Sequence, residues 1–359
     1  MADFHKVKIQ EVKQETANAV SVLFDIPENL KQSFNFVSGQ YITLQKVING
    51  EEIRRAYSIC STPKSDEIRV AIKAVENGTF SVYATSDLKA GDEIEISIPE
   101  GRFELKPEAN KNYIAFAAGS GITPILSMVK TVLENEPTST FTLVYGNKSA
   151  ADTIFYDELN ALKETYANQL KLHYIFSRED VKNQLRGRID KSVTNYFVKN
   201  MYKEISFDTA FLCGPEEMIN AVSKTLAENN FSSENINFEL FTASLDEEAL
   251  SEVKEGTTQI TVLLDDEETT FTMQQTDDIL AASLRNDLDA PYSCQGGVCS
   301  SCMCKVTEGK AVMVKNSILT DGEIEEGLVL ACQAYPTTAK IVSSAPLPIQ
   351  LASQPTSTE

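Results

Sequence analysis

The chain has 359 residues, of which 42% are hydrophobic, and its 52 acidic and 32 basic side chains give a formal net charge of −20 at pH 7. This length suffices for two or three domains, each with its own core. The negative charge argues against nucleic acid and anionic membrane surfaces as partners, and the lack of any run of about 18 apolar residues argues against a transmembrane helix. The charge suits a partner protein with a basic patch, although solubility alone accounts for most of these carboxylates.

The first hundred residues predict short β-strands. Hydrophobic and polar residues alternate in several stretches, and glycines separate them as turns. Short strands at regular spacing are typical of a small antiparallel β-barrel, which we assign to residues 1–108. The alternating stretches are 7–12, 20–24, 41–44 and 68–72, and the glycines are Gly39, Gly78, Gly91 and Gly101.

A candidate flavin site lies in this region, in the pattern R-x-Y-S at Arg55, Tyr57 and Ser58. The tyrosine ring would stack on the isoalloxazine, the guanidinium would pair with phosphate, and the hydroxyl would bond near the reactive ring nitrogen. Downstream, Gly78 opens a predicted helix whose first amides, together with the Ser81 hydroxyl, suit a pyrophosphate. Four letters alone are a weak match, because a surface arginine beside a core tyrosine gives the same pattern.

From residue 113 onward, continuous apolar runs alternate with helical patterns. Such runs are typical of strands that are buried on both faces. The alternation predicts a doubly wound parallel α/β sheet over residues 109–242. The predicted strands are 113–118, 141–145, 172–176 and 209–213, and the predicted helices are 125–133 and 216–229.

Two turns of this sheet are candidate nucleotide contacts. Gly119 and Gly121 follow the first strand, where the backbone of a doubly wound fold meets a dinucleotide, and Pro124 suits the first turn of the next helix. A purely structural turn would account for the glycines equally well. A Cys-Gly-Pro sequence follows the fourth strand at the carboxyl edge, the expected ligand crevice, although such a tripeptide is more often only a turn. Its residues are Cys213, Gly214 and Pro215.

The residues after the third strand bear on the choice of nicotinamide nucleotide. Ser177 and Arg178 follow it directly, and Arg186 and Arg188 come soon after. A 2′-phosphate needs cations and a hydroxyl, whereas a bare ribose is usually held by an acid. The pattern therefore favours NADPH over NADH, although Glu179 is adjacent and Arg178 alone would also suit a surface position.

The last third of the chain predicts a linker and a third domain. Residues 243–256 are acidic and lack apolar runs, which indicates a linker. Residues 257–359 contain fourteen acidic and five basic side chains, a net charge of −9. Stretches 259–264 and 268–273 predict a hairpin, 279–286 a short helix, 302–307 a strand, and the tail from residue 345 is expected to be loosely ordered.

Four cysteines in this region form the most specific motif of the chain. Cys294, Cys299 and Cys302 have the spacing C-x4-C-x2-C, and Cys332 follows after twenty-nine intervening residues. This is the spacing with which plant-type ferredoxins hold a [2Fe–2S] cluster. Two glycines in the loop let amide N–H groups approach the sulfurs. Cys304 is either a buried core residue, which we favour, or a spare thiol.

Disulfides, zinc and a Rieske cluster fit these cysteines less well. A disulfide framework suits a short secreted domain, and this chain is long and shows no signal-peptide pattern. A structural zinc site usually needs a second C-x2-C or histidines, and the only histidines, His5 and His173, lie far away in sequence, which also argues against a Rieske cluster. Free cysteines with ligand spacing point to a reducing cytoplasm.

Taken in order, R-x-Y-S, G-x-x-S, G-x-G-x-x-P, C-G-P and the ferredoxin cysteines resemble the ferredoxin–NADP reductase superfamily, in the branch that carries a C-terminal ferredoxin domain. The resemblance implies an FAD barrel, with FMN as the alternative flavin, and a β-grasp cluster domain. It implies that Thr123 and Pro124 approach the NAD(P)H pyrophosphate and ribose, that Cys213 faces the nicotinamide, and that Glu239 and Phe241 close over the flavin. Tyr57, Ser58, Cys213 and Glu239 are thereby the expected catalytic residues.

The resemblance also implies the reaction. NADPH would reduce the flavin, and the cluster would pass single electrons to an electron-accepting oxygenase, with a phenylacetyl-CoA epoxidase-type monooxygenase as the favoured acceptor. An NADH-dependent reductase for another oxygenase or for a hybrid-cluster protein is one alternative. A non-catalytic redox-sensing protein that has kept the cluster is a second alternative.

Overall fold

In the computed structural model, residues 4–181 and 185–344 are described, and they divide into two units between Phe241 and Thr242. The predicted loose tail, residues 345–359, lies outside the described residues. No helix within the described part of the chain is both long and apolar enough to cross a membrane.

The first unit begins with a six-stranded antiparallel sheet of order β4-β3-β6-β1-β2-β5. Its edges meet, because Ile59 bridges Val70 and the Cys60 N–H donates to the Arg69 carbonyl at 2.8 Å. The predicted antiparallel β-domain is therefore confirmed. Its elements are β1 (Phe4–Thr16), β2 (Ala19–Asp25), β3 (Tyr41–Ile48), β4 (Glu51–Ser58), β5 (Ile68–Lys73), α1 (Thr79–Ser86) and β6 (Glu93–Ser97).

The same unit continues into a six-stranded parallel sheet of order β10-β9-β8-β7-β11-β12. The chain reverses its direction of travel across the sheet between β7 and β11, which places the expected ligand crevice at their carboxyl ends. The predicted doubly wound sheet is confirmed. Its elements are β7 (Asn112–Ala118), α2 (Ile122–Asn135), β8 (Thr140–Asn147), α3 (Tyr156–Thr165), β9 (Leu170–Phe176), β10 (Leu185–Arg186), α4 (Lys191–Asn195), β11 (Thr209–Cys213), α5 (Glu216–Glu228) and β12 (Ile236–Glu239).

Helix α2 holds the barrel against the parallel sheet. The Ser127 hydroxyl on α2 donates to the Ser61 carbonyl at 2.6 Å, and the Thr62 hydroxyl donates to the Glu134 carboxylate at 3.0 Å. Ser61 and Thr62 follow β4 closely, so these bonds fix the end of the strand that carries the R-x-Y-S motif.

The second unit contains a five-stranded sheet of order β14-β13-β19-β15-β17, in which β13 and β19 are parallel. This mixed sheet, with α7 contributing to its core, is the expected β-grasp arrangement. The second unit also contains a two-stranded antiparallel sheet of β16 and β18. Its elements are α6 (Glu247–Glu252), β13 (Thr257–Leu264), β14 (Glu267–Gln274), α7 (Ile279–Arg285), β15 (Met303–Glu308), β16 (Ala311–Met313), α8 (Asp321–Glu325), β17 (Leu328–Leu330), β18 (Ala334–Pro336) and β19 (Lys340–Ser344).

Helix α6 lies inside the segment that the sequence predicts as a linker. The Asp246 carboxylate accepts hydrogen bonds from the N–H groups of Glu248 and Ala249, and its own N–H donates to the Val314 carbonyl at 2.8 Å. An aspartate cap and acidic residues in the first turn favour a helix start. The acidic composition that suggested a linker is therefore also the composition of a capped helix.

Candidate functional site

Three of the residues expected to be catalytic meet at the carboxyl edge of the parallel sheet. Ser58, the last residue of β4, is only 4% exposed, and its hydroxyl donates to Oε2 of Glu239 at 3.2 Å. Glu239 ends β12 and is in register with Cys213, which ends β11. The flavin motif and the Cys-Gly-Pro turn therefore belong to one site.

The Cys213 thiol is neutral in this environment. Its side chain is fully buried, and burial, followed by the nearby Glu239 carboxylate, raises its pKa well above the ordinary value. A protonated, polarisable sulfur is a poor nucleophile and a good apolar contact for a flat ring. This arrangement argues against covalent catalysis by Cys213.

Tyr57 and Arg55 share one face of β4, because side chains two residues apart point the same way on a strand. Burial raises the pKa of Tyr57, so its ring is uncharged, and it lies 5.7 Å from the Phe80 ring at an angle of 37°. A neutral aromatic surface with a guanidinium beside it fits a flavin. Phe80 was missed from the sequence, and its position between Gly78 and Ser81 was the available signal.

The turn before α1 requires glycine. A Cβ atom at Gly78 would lie 2.4 Å from the Ser81 Oγ and 2.5 Å from the Val75 Cγ2. The Ser81 Oγ accepts a hydrogen bond from the Val75 N–H at 3.2 Å. Ser81 thus shapes the turn, and the first amides of α1 are left as the groups that suit a pyrophosphate.

The glycine turn after β7 packs directly on the Cys-Gly-Pro turn. A Cβ at Gly121 would lie 2.1 Å from the Cys213 carbonyl oxygen, so only glycine permits this approach. Gly119 has a φ of 56°, and the buried Tyr145 hydroxyl donates to its carbonyl at 2.8 Å. A Cβ at Gly214 would lie 3.1 Å from the Ala118 Cβ. The two predicted nucleotide motifs therefore form one surface.

Three residues expected to contact the nucleotide form part of the backbone structure of these turns. The Thr123 side chain is 2% exposed and its hydroxyl donates to the Ser120 carbonyl at 3.1 Å. Pro124 is buried in the first turn of α2, as expected from its position. Pro215 precedes the first residue of α5. These three residues shape the loops that a nucleotide would meet.

Lys73 is a site residue that sequence reasoning missed. Its Nζ would lie 3.7 Å from a Cβ at Gly119, and its side chain is half-buried. Burial and the neighbouring Lys148 lower its pKa, while Asp152 opposes them. A lysine directly after the predicted strand 68–72 was the signal that could have found it.

Ser177 and Arg178 lie at the carboxyl end of β9. The Ser177 N–H and hydroxyl both donate to the Asn147 carbonyl, at 3.0 Å and 3.3 Å, and the Arg178 N–H donates to the Lys148 carbonyl at 2.9 Å. These bonds hold the backbone, and the Arg178 side chain is exposed.

Glu179, Arg186 and Arg188 lie near Arg178 at the carboxyl end of β9. The Glu179 carboxylate accepts the Ala150 N–H at 2.7 Å, which commits it to the loop after β8. Arg186, on β10, is exposed and in register with Phe176. Arg188 is exposed as well. The cations are therefore accessible while the acid is engaged.

Phe241 stands apart from the tight contacts. It follows β12 by two positions, and 40% of it is exposed. Phe241, the aromatic residue expected to close over a flavin, therefore lies two positions after Glu239 with its side chain exposed to solvent.

The four ligand-spaced cysteines come together in the second unit. The sulfurs of Cys294 and Cys299 are 3.1 Å apart, and the side chains of Cys302 and Cys332 hydrogen-bond each other. The Gly296 N–H donates to the Cys294 Sγ at 3.3 Å. The contact with Cys299, together with backbone N–H groups of the loop, lowers the pKa of Cys294 to about 6. Four largely buried sulfurs, approached by loop amides that stabilise thiolates, fit an iron–sulfur cluster.

Cys304 behaves differently. It lies on β15 in register with Val329, in the core of the unit, and burial raises the pKa of its thiol to about 12. This supports its interpretation as a core residue. All seven cysteines of the chain lie within the described residues, and each of them is a free thiol.

Three family models match these regions. Residues 6–105 match the oxidoreductase FAD-binding domain, residues 116–224 the oxidoreductase NAD-binding domain, and residues 262–337 the 2Fe-2S iron-sulfur cluster binding domain.

Similar proteins match nearly the whole length of the chain. The chain is 38% identical to a subunit of the 1,2-phenylacetyl-CoA epoxidase of Escherichia coli K12, over 95% of this chain and 98% of that protein. It is 29% identical to the ferredoxin reductase component of 3-ketosteroid-9-alpha-monooxygenase from Rhodococcus rhodochrous, over 92% and 93% of the two chains. The solved structure of phthalate dioxygenase reductase covers 95% of this chain and 98% of its own, with a TM-score of 0.63 and 26% identity.

The fold and the site define an NAD(P)H oxidoreductase of the electron-transfer type, with FAD-binding, NAD-binding and [2Fe–2S] domains in one chain. The chain belongs to the ferredoxin–NADP reductase superfamily, in the branch with a C-terminal ferredoxin domain, and it is similar over nearly its whole length to the epoxidase subunit of Escherichia coli.

Proposed function

We propose that this chain oxidises NADPH at an FAD and delivers the electrons singly, through a [2Fe–2S] cluster, to a phenylacetyl-CoA epoxidase-type monooxygenase. The observation that carries the proposal is the contact series from Ser58 through Glu239 and Cys213 to Gly121, which joins the flavin motif to the nucleotide motifs. When bound, the groups supply a hydride donor, a flavin that accepts two electrons and releases them singly, and a one-electron carrier.

The side chains orient the reacting rings. Tyr57 offers an uncharged ring for stacking, and Arg55 on the same face offers a phosphate partner. Ser58 holds its hydroxyl at a buried position beside Glu239, where it can bond a flavin ring atom. The neutral Cys213 thiol offers an apolar contact for the nicotinamide and, because it is buried, helps to exclude water.

The remaining nucleotide contacts come from the loops. Gly78 and Ser81 shape one turn, and Gly119 and Gly121 shape the other, so that backbone N–H groups of both turns would be available to phosphates. Glu239 and Phe241 would lie against the flavin from the end of β12.

The preference for NADPH rests on charge. Arg178, Arg186 and Arg188 are exposed cations at one edge, Ser177 stands beside them, and Glu179 is engaged by the Ala150 N–H. Cations favour a 2′-phosphate, whereas an acid that is available to bond a ribose hydroxyl would favour NADH. One oxygen of the Glu179 carboxylate is bonded to the Ala150 N–H and three cations lie at this edge, so the balance of charge favours NADPH.

We assign the cluster to Cys294, Cys299, Cys302 and Cys332, and the domains to residues 1–108, 109–242 and 257–359 with a connection at 243–256. The net charge of −9 over the last of these favours an acceptor protein with a basic patch over nucleic acid or a membrane surface. Free cysteines with ligand spacing suit a reducing cytoplasm.

The acceptor is argued from the 38% identity to the epoxidase subunit of Escherichia coli. The experiment combines the purified, flavin- and cluster-loaded chain with the oxygenase subunits of a phenylacetyl-CoA epoxidase, NADPH and phenylacetyl-CoA. We expect oxygenated product at a rate that saturates with the reductase. Product formation with a 3-ketosteroid monooxygenase instead would contradict the assigned acceptor, and mass spectrometry of the released flavin separates FAD from FMN.

A further inference from the structure

Gln333 connects the two separate segments of the cysteine site. It follows Cys332 directly in sequence and is only 8% exposed. Its side-chain Nε2 donates to the carbonyl oxygen of Gln295 at 3.0 Å. Gln295 follows Cys294 and has a left-handed backbone conformation with a φ of 51°.

The same amide is adjacent to the Cys332 sulfur and lowers the pKa of that thiol. A glutamine amide carries two N–H donors, so one group can serve a carbonyl and a sulfur together. Backbone groups join the two segments as well, because the Ala331 N–H donates to the Cys302 carbonyl at 3.0 Å, and the Gly297 backbone lowers the pKa of Cys332. Gln333 adds to them a buried side chain that a substitution can remove.

We infer that Gln333 is a positioning residue of the iron–sulfur centre, which holds the Cys294 loop against Cys332 and favours the reduced cluster over the oxidised one. The inference rests on the ligand assignment of the proposed function. One-electron reduction adds one negative charge to the irons and their sulfur ligands, and no proton need be taken up. N–H donors to the sulfurs stabilise that added charge and so raise the reduction potential.

The matched comparison is Gln275 in the same unit. Its Nε2 donates to the Thr258 Oγ1 at 3.1 Å and to the Thr338 carbonyl at 3.3 Å, and it is partly buried. Gln275→Met removes a side-chain amide that donates two hydrogen bonds, neither of which involves a cysteine. Gln333→Met removes the donors at similar volume, and Gln333→Glu keeps the shape while placing an acceptor against the Gln295 carbonyl and the sulfur.

The experiment is an EPR-monitored redox titration of the full chain at pH 8.5. We expect the equilibrium constant for cluster reduction to fall about tenfold in Gln333→Met, which corresponds to about 59 mV for a one-electron couple, and at least as far in Gln333→Glu. Gln275→Met should leave it within about twofold. If Gln333→Met loses its cluster while Gln275→Met keeps it, the result supports the role of Gln333 in holding the Cys294 loop against Cys332. The reduction potential is then measured in Gln333→Glu.

Unchanged potentials in both Gln333 variants, or an equal shift in Gln275→Met, overturn this inference alone, provided that the wild-type signal is normal. A wild-type chain without a [2Fe–2S] signal, or a Cys332→Ser variant that keeps one of full intensity, overturns the ligand assignment and the inference with it.

Discussion

Ser58 donates a hydrogen bond to Glu239 across 181 positions of sequence, with 3.2 Å between Oγ and Oε2. Each residue ends a strand, Ser58 in the antiparallel sheet and Glu239 in the parallel one. This bond therefore couples the flavin motif to the sheet edge that carries the nucleotide turns. The protein itself therefore holds the two motifs together, and no bound ligand is needed for this contact.

Substitution of Ser58 should slow flavin reduction. A hydrogen bond to a charged acceptor contributes about 1.5–3 kcal/mol, and about 1.4 kcal/mol corresponds to a factor of ten in rate. We expect Ser58→Ala to lower the rate of FAD reduction by NADPH about tenfold in anaerobic stopped-flow experiments. The control is Ser38→Ala, because Ser38 is also buried and its hydroxyl donates to the Leu105 carbonyl at 2.8 Å rather than to Glu239. Similar rates in the two variants would count against a role for Ser58 in the reaction.

Gly121→Ala should separate nucleotide binding from flavin binding. The new Cβ would lie 2.1 Å from the Cys213 carbonyl oxygen, so the two turns must move apart. We expect the flavin to remain bound while the Kd for NADPH rises at least about tenfold in fluorescence titrations. Gly322→Ala is the control, because no described atom lies within 4 Å of its Cβ position apart from its chain neighbours and the backbone of its own helix. Normal NADPH affinity in Gly121→Ala would show that the turns do not form the nucleotide surface.

Arg178→Ala tests the choice of nucleotide. The side chain is exposed and its backbone N–H is held by the Lys148 carbonyl, so its removal should leave the loop intact. Loss of one charge-assisted contact to a 2′-phosphate should raise the KM for NADPH about tenfold. The KM for NADH should change less than about twofold and serves as the internal control. An unchanged ratio of the two KM values would remove the argument for NADPH.

The ligand assignment predicts different outcomes for two cysteines of the same unit. Cys332→Ser should abolish the visible absorbance and the EPR signal of the cluster, because a thiolate ligand is lost. Cys304→Ser should keep both, since the Cys304 thiol is protonated and packed in the core. Anaerobically purified variants would be compared by iron and sulfide content. Equal loss in both variants is the result that the assignment does not allow.

The fold was predictable from the sequence where single patterns were strong. Continuous apolar runs identified the buried strands of the parallel sheet, and the cysteine spacing identified the cluster segment. The contacts that build the site were less accessible, because they join residues far apart in sequence. Glu239 was proposed from a two-letter match, and its bond to Ser58 depends on the pairing of β12 with β11.

Some site features were missed for local reasons. Lys73 and Phe80 belong to no motif that we recognised, and their sequence positions alone were weak signals, so their proximity to Gly119 and Tyr57 in space is what indicates a role. The segment that forms helix α6 was predicted as a linker because it is acidic and lacks apolar runs, whereas the Asp246 cap and the contact with Val314 stabilise a helix there.

Anaerobic rapid mixing of the loaded chain with NADPH tests the central claim most directly. Flavin absorbance and the EPR signal of the reduced cluster would be followed after mixing, in the wild type and in Cys332→Ser. We predict that flavin reduction precedes the cluster signal in the wild type, and that Cys332→Ser reduces its flavin at the same rate with no cluster signal. A cluster that is reduced by NADPH in chain stripped of flavin would contradict the proposed order of electron transfer.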